Sequence, residues 1–497
     1  MNILTIRGNR VALAYNPGKE DVEVGDNIVI LDRADKRGVL ALVYEISAPE
    51  LPGVLHEIAR REASSRAPEV HGFLGYADAE RGAEGLKLAA ARIVMEVRLA
   101  DGDLFFEEWR GYAPSRDAEF LRVSPSGVVR ALRERRLGAR RGEAAAGSLF
   151  EHPVAVGLDA EGNLFEVSAY DLQGLNLIVG LKRAGKSHLA KAMLLDLTRH
   201  RAGCLVLDLY DEYSRLDTGR DGRPKPELEG LFVKLKLREA LRFPLSDIEP
   251  EVLLDVMKAL GLGDASLSEL SEIVGELGRD ALSLETLRRR VERIGSPNVR
   301  GAILRRLRML VNTGLIDDSL PQGQLERVLR VLSQLNEGKT IVVNLKGLAW
   351  EAMRVAVQVL LSYLLRLLEA RKLEPFFLFA EEAHLYIDRA VIEYLAARTR
   401  QLGLWQFYVT SAPTSPLEPL VRQADNLFCF RLDFLDAKHV APASGLEPDV
   451  LERLVAALPP QHFLAVGRAT EGYPVILRNR ELDVLAAGET RYRFLEP

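Results

Sequence analysis

Apolar and polar positions along this chain fall into three regimes, and each predicts a different kind of structure. Over the first 125 residues the apolar runs VALAY, NIVIL, VLALVYEIS, RIVMEVRL and LFFEEW are separated by NPGKED, DRADKRG and ADGD. Short apolar runs between turn-forming residues predict strands, and a small β-barrel closes such strands without exposed edges. One helix is expected among them, over 54–65. From about 150 the pattern alternates: LNLIVG and CLVLDLY predict buried strands on either side of a helix over 186–200, as in a parallel sheet. Between 245 and 335 the sequence turns almost wholly helical, through LLDVMKALGL, LSELSEIVGEL, LETLRRRVERI and RGAILRRLRMLV. The sheet pattern then resumes with TIVVNL, a helix over 351–371, FFLFA, a helix over 389–401, WQFYVTS and NLFCFRL. The expected organisation is a barrel over 1–125, a basic linker over 126–150 and an α/β core in two parts, 151–240 and 336–483. A helical subdomain over 241–335 is inserted between those parts, and a short tail covers 484–497.

Composition narrows the class. A chain of 497 residues with 47% hydrophobic and 28% charged positions has room for about three domains. It is not a disordered tail protein, a collagen-like repeat or a disulfide scaffold. Cys204 and Cys429 are far apart, in apolar runs and without a CxxC pattern, as expected of buried thiols in a reducing compartment. No apolar stretch reaches the roughly 18 residues that span a bilayer. Val355 to Leu365 is flanked by Arg354 and Arg366 and predicts a buried helix. The opening MNILTIRGNRVALAY holds no cleavable apolar segment, so a cytoplasmic protein without membrane contact is expected.

Charge changes the picture less by amount than by placement. The net charge is −5, which argues against a wholly basic nucleic-acid coat, yet lysine supplies only 14 of the 66 basic residues and arginine 52. Arginine is favoured where phosphates or carboxylates are gripped by a planar fork, but a general compositional bias gives the same excess. Arg122, Arg130, Arg133, Arg135, Arg136, Arg140 and Arg141 crowd a segment whose single acid is Glu134, followed by the small-residue stretch GEAAAGS. That segment fits either a solvated linker helix or a phosphate-contacting strip. The helical region carries Arg288, Arg289, Arg290, Arg293, Arg300, Arg305, Arg306 and Arg308, for which solvated faces paired to Glu285 and Glu292 are one account and nucleic-acid contact the other.

The strongest chemical signal is Gly180-Leu-Lys-Arg-Ala-Gly185-Lys186-Ser187, a GxxxxGK[ST] pattern placed after an apolar strand and opening a helix. Glycines at both ends let such a loop wrap phosphates with inward backbone N–H groups, and the helix N-terminus adds partial positive charge. Lys186 is expected to bridge the β- and γ-phosphates of ATP, with Ser187 on Mg²⁺. Gly180, Lys182, Arg183, Ala184, Gly185, Lys186, Ser187 and His188 are the candidate nucleotide-binding residues. A second strand, Phe376 to Ala380, ends in Glu381 and Glu382. Glu381 is expected to hold Mg²⁺, usually through a water, and Glu382 to orient and polarise the attacking water. CLVLD ends in Asp208 and leads to Glu212; both are expected to emerge beside the nucleotide at the carboxyl edge of the sheet and to tune Mg²⁺ or the water, with capping of the next turn as the alternative. His384 is expected to make a structural hydrogen bond rather than to act in catalysis.

GLKRAGKS, the D-x-x-x-E-Y segment and FLFAEEAH, in this order, resemble the HerA family of RecA-type ring motors. The resemblance continues through Arg398-Thr-Arg400-Gln-Leu-Gly403-Leu, the strand FYVTSAP and Gln423-Ala-Asp-Asn-Leu-Phe-Cys-Phe-Arg431-Leu, and the N-terminus resembles the family's HAS barrel. It implies an α/β, RecA-like P-loop core with a small N-terminal β-barrel and a helical insert, assembled as a homohexamer. It also implies an ATP-driven DNA translocase or helicase, with duplex DNA in the channel and a NurA-like nuclease or other effector as partner in end processing or phage defence. Arg400 falls on the family's arginine finger, with Arg398 and Arg431 as competitors. Ser411 stands where the family usually has a sensor glutamine, Gln401 replaces a lysine, and Asp211 replaces a glycine. A ring scaffold that activates an effector with little translocation is the alternative, motivated by Ser411, and a secretion-type ring ATPase is a third reading.

Overall fold

The computed structural model describes residues 1–48, 87–141, 152–237, 242–387, 389–413 and 418–485. The helix expected over 54–65 and the GEAAAGS stretch lie outside them. In chain order the strands begin with β1 (Asn2–Arg7), β2 (Arg10–Tyr15), β3 (Asn27–Asp32), β4 (Arg37–Ser47), β5 (Lys87–Ala100), β6 (Asp103–Glu108) and β7 (Glu119–Arg122), followed by helix α1 (Pro125–Arg141). Next come β8 (Pro153–Leu158), β9 (Leu164–Ser168), β10 (Leu175–Val179), α2 (Lys186–Arg199), β11 (Cys204–Asp208) and β12 (Phe232–Lys236). Five helices follow: α3 (Pro250–Ala259), α4 (Asp264–Leu277), α5 (Leu284–Glu292), α6 (Pro297–Asn312) and α7 (Gln324–Leu332). The alternation resumes with β13 (Thr340–Asn344), α8 (Trp350–Glu369), β14 (Phe376–Glu381), α9 (Arg389–Leu402), β15 (Leu404–Thr410) and β16 (Asn426–Phe430). The chain then adds α10 (Phe434–Ser444), α11 (Pro448–Ala457), β17 (His462–Gly467) and β18 (Val475–Arg478).

These elements divide into two compact units: Met1–Leu149 with Leu158–Phe165 and Cys429–Arg478, and Phe150–Gly157 with Glu166–Phe428 and Asn479–Pro497. In the first unit, β1 to β7 form an antiparallel sheet of order β1-β2-β5-β4-β3-β7, with β6 on β5. Register shifts in β4 at Leu40/Ala41 and Val43/Glu45 mark bulges, which bend a strand and increase its twist. Alternate side chains, among them Val11, Leu13, Ile28, Ile30, Val39, Val43 and Ile93, build its core. Two strands, β1 and β7, belong to this sheet although their short, polar-interrupted sequences gave no strand signal.

The basic segment after β7 is folded into this unit. Arg133 is only 1% exposed and pairs with Glu471, which also takes Arg136. Arg135 donates to the Phe106 carbonyl and pairs with Glu107, while Arg130 pairs with Glu134 one turn away. These four guanidinium groups are committed to structure. Residues 429–478 pack in the same unit: Arg10–Asp449, Arg92–Glu447 and Arg453–Glu45 pair α11 and its approach with the sheet.

The second unit is a parallel sheet, and its six strands that position the site run β12-β13-β11-β14-β15-β10. Every neighbouring pair among them is parallel. β10, β11 and β14 are buried along their whole length, which is why their sequences read as continuous apolar runs rather than alternation. Crossover helices α2 and α8 return the chain between strands, and in such sheets ligands bind beyond the carboxyl ends of the strands. Proline opens α3 and α6, and a Ser283–Thr286 capping box opens α5. Arg288, Arg289 and Arg290 pair with Glu292, Glu285 and Glu276, while Arg300 and Arg306 donate to backbone carbonyls. Arg288 and Arg289 thus make the pairs with Glu292 and Glu285 that the solvated-face account names.

Candidate nucleotide site

The loop between β10 and α2 follows from its glycines. Gly180 has φ 154° and Gly185, the N-cap of α2, φ 115°, conformations that L side chains rarely adopt. Arg183 also adopts a left-handed conformation, φ 66°. The loop closes around Lys186, whose Nζ donates to the Gly180 and Leu181 carbonyls, both at 2.8 Å. Burial lowers the Lys186 pKa, while the nearby Glu382 and Glu381 carboxylates favour its charged form. Lys182 and Arg183 are exposed at the loop tip. His188 points elsewhere: its Nε2 lies 2.7 Å from the Arg480 carbonyl.

Both acids of the second motif stand at the carboxyl end of β14. Glu381 is buried and accepts a 2.6 Å hydrogen bond from the Tyr213 hydroxyl, while the nearby Ser187 side chain favours its charged form. Burial pushes its pKa up to about 7 against the opposing pull of these donors and of Lys191. Glu382 leaves the strand in a left-handed conformation (φ 47°, ψ 42°), which turns its side chain away from the strand direction. Its carboxylate accepts from Ser411 N (3.2 Å to each oxygen), Ser411 Oγ (2.9 Å) and Thr410 Oγ1 (3.3 Å). His384 Nδ1 lies 3.5 Å from the same group and 3.3 Å from Thr410 Oγ1, and burial keeps its imidazole neutral to lower pH than usual. His384 is thus a hydrogen-bonding neighbour of Glu382 at the sheet edge.

Asp208 takes the capping role. It is fully buried, and its carboxylate accepts from the backbone N–H groups of Tyr210, Glu212 and Tyr213. The sheet order explains this, because β14 and β15 separate β11 from β10. Glu212 receives Lys191 Nζ at 2.7 Å, and that ammonium lies over the Tyr213 ring. Lys191, Glu212, Tyr213 and Glu381 therefore link the α2 helix to the end of β14. Asp211 has φ 66°, which accounts for glycine being usual there in the family that the sequence resembles; its carboxylate accepts from Ser214 Oγ at 2.5 Å.

Arg400 is not part of this cluster. It is exposed at the C-terminal end of α9 and pairs with Asp425 at 2.9 Å. Asp425 in turn accepts from Leu175 N, at the amino end of β10. A five-residue strand separates that end from the loop, roughly 15 Å. Arg398 stacks on Tyr394 and pairs with Glu369.

Four residues escaped the motif reading. Lys191 and Tyr213 were legible only as helix and turn positions, although Tyr213 closes the D-x-x-x-E-Y segment. Asn479 and Arg480 had no local signal, since they lie almost 300 residues beyond the loop. Asn479 Nδ2 donates to the Gly185 carbonyl, and Arg480 bonds to Ala155 O, Ala192 O and Asp196, strapping the first turns of α2.

A parallel sheet with the glycine loop on one strand, a buried strand ending in two acids two positions away, and a polar strand tip between them defines a RecA-like P-loop nucleoside triphosphatase fold. Residues 184–364 match the family model described as the central domain of helicase HerA. The match spans Lys186, Ser187, Asp208 and Glu212 and stops before Glu381, Glu382, Arg400 and Ser411. Among solved structures, the bacterial conjugative coupling protein TrwBΔN70 in its unbound form is similar at TM-score 0.50 and 15% identity, over 67% of this chain and 91% of that one. VirB4 of Thermoanaerobacter pseudethanolicus gives TM-score 0.49 at 14% identity, over 66% and 96%. TrwB in complex with ADP and Mg²⁺ gives 0.48 at 15%, over 67% and 91%. No curated protein matches the sequence. Among the described residues no helix is long and apolar enough to cross a membrane.

Proposed function

We propose that the protein hydrolyses ATP at the end of β10 and β14 and couples the cycle to movement of duplex DNA through a homohexameric ring. The observation that carries the reading is the convergence of Lys186, Ser187, Glu381 and Glu382 on one sheet edge. Gly180 to Ser187 would cradle the phosphates with loop N–H groups, and Lys186 would exchange its two loop carbonyls for phosphate oxygens. Glu382 orients a water and takes up its hydrogen bond. The Ser187 hydroxyl and the Glu381 carboxylate, close enough for the one to favour the charged form of the other, are oxygen donors suited to a hard cation. Ser187 and Glu381 would hold Mg²⁺, which would supply charge neutralisation on the phosphates. The placement of Arg400 favours action on a neighbouring subunit's nucleotide, because it lies at the sheet edge opposite its own loop.

The HerA helicase family match supports DNA as the cargo, and a NurA-like nuclease or other effector is the proposed partner. Purified protein is expected to hydrolyse ATP faster when duplex DNA is added, and Lys186→Ala and Glu382→Gln to abolish turnover. Substantial turnover in both variants would sink the site assignment. Turnover indifferent to DNA, with an effector still activated by Glu382→Gln rings, would favour the ring scaffold.

A further inference from the structure

Just beyond the tip of β15 the Ser411 hydroxyl is committed to the Glu382 carboxylate. β15 lies between β14 and β10, and the register pairs Glu381 with Val409 and Val179 with Thr410. Continued by one residue, the same register sets Thr410 beside Glu382 and Ser411 beside Gly180. The Ser411 backbone N–H contacts both oxygens of the Glu382 carboxylate, and its hydroxyl donates to one of them at 2.9 Å. Thr410 Oγ1 adds a contact at 3.3 Å and is itself fixed by accepting from Ala412 N.

Three constraints make this more than incidental packing. The left-handed backbone of Glu382, a conformation that favours glycine, is held where Glu382 N donates to Val409 O at 2.7 Å. The carboxylate crosses the tip of β15 instead of continuing along β14. Lys186, on the far side of β15, feels its charge. A serine hydroxyl sits one bond from Cβ and here is spent on the glutamate.

We infer that Ser411 is a positioning residue: its hydroxyl, backed by Thr410, aims the Glu382 carboxylate across β15 toward the phosphate loop and acts on the reaction only through that carboxylate. This rests on the proposed role of Glu382. It gives the shorter side chain at this position a function that a direct contact to nucleotide does not.

The test is a double-mutant cycle of Ser411→Ala and Glu382→Gln, with rates read in single turnover so that residual activity is measurable. Ser411→Ala keeps the backbone N–H and loses one hydrogen bond to a charged group, so kcat should fall about tenfold. KM for ATP and affinity for a fluorescent ATP analogue should stay unchanged, and Ser411→Thr, which keeps the hydroxyl, should restore most of the rate. In the Glu382→Gln background Ser411→Ala should have no further effect. An unchanged or raised kcat, a loss expressed in KM, or an equal drop in both backgrounds would overturn the proposal while leaving Glu382 in place. If Glu382→Gln alone turns over at the parent rate, the catalytic reading fails and the positioning role fails with it.

Discussion

Glu381 shows at the residue scale how a sheet edge stores a charge. The unfolded carboxyl titrates near 4.5, whereas burial pushes the folded one up to about 7. Between those values the native state holds a proton that the unfolded chain has released. Stability therefore falls as pH rises through this window and levels off above it. Thermal melts of the ligand-free protein should show midpoints that decline from about pH 5 to about pH 7, and Glu381→Gln should flatten this slope. A slope unchanged by the substitution would place its origin elsewhere. The need for two acids after FFLFA was legible in the sequence; that one would be buried against Tyr213 and the other turned out over β15 was not, because both depend on neighbouring strands.

Among the elements, α1 is the one whose meaning the fold altered most. Its arginines look alike in sequence, but Arg133 is buried against Glu471 and Arg130 is exposed beside Glu134. Arg133→Ala removes a buried side chain and leaves Glu471 with only the half-exposed Arg136, so it should cost roughly 2 kcal/mol. Arg130→Ala, which removes an exposed pair one helical turn apart, should cost less than about 0.5 kcal/mol. Differential scanning calorimetry of the two variants checks the contrast, and equal losses would deny the burial argument. The strands of the second unit were legible because burial on both faces leaves apolar runs. β12, by contrast, reads FVKLK with a burial pattern that alternates poorly, and it gave no strand signal. The wholly helical stretch was plain from its periodicity, and its caps at Ser283, Pro250 and Pro297 lie where such residues are favoured.

At the scale of the whole molecule, Arg400 poses the question of assembly. It pairs with Asp425 at the amino end of its own β10, away from its own phosphate loop, and the proposed ring would bring it to the adjacent subunit. Arg400→Ala and Lys186→Ala rings should each be inactive, yet rings mixed from both chains should regain part of the ATPase activity. Such rings contain interfaces where an intact arginine faces an intact loop. Mixtures that stay inactive, although mass photometry shows that they co-assemble, would refute action between subunits. Net acidity is compatible with this scheme, because the proposed ring needs positive charge only along its channel.

Local chemistry determined a good deal of this protein without tertiary information. Glycine spacing at 180 and 185, the apolar strand before it and the helix after it specify a phosphate loop, since backbone conformation and helix polarity are properties of a few adjacent residues. Long-range pairing decided the rest. Asp208 became a turn cap because two strands separate β11 from β10. Glu382 met Ser411 because β15 lies between the acids and the loop. Asn479 and Arg480 reached α2 from the far end of the chain. Strand order and side-chain burial arise from contacts between residues hundreds of positions apart, and a linear pattern carries no record of them.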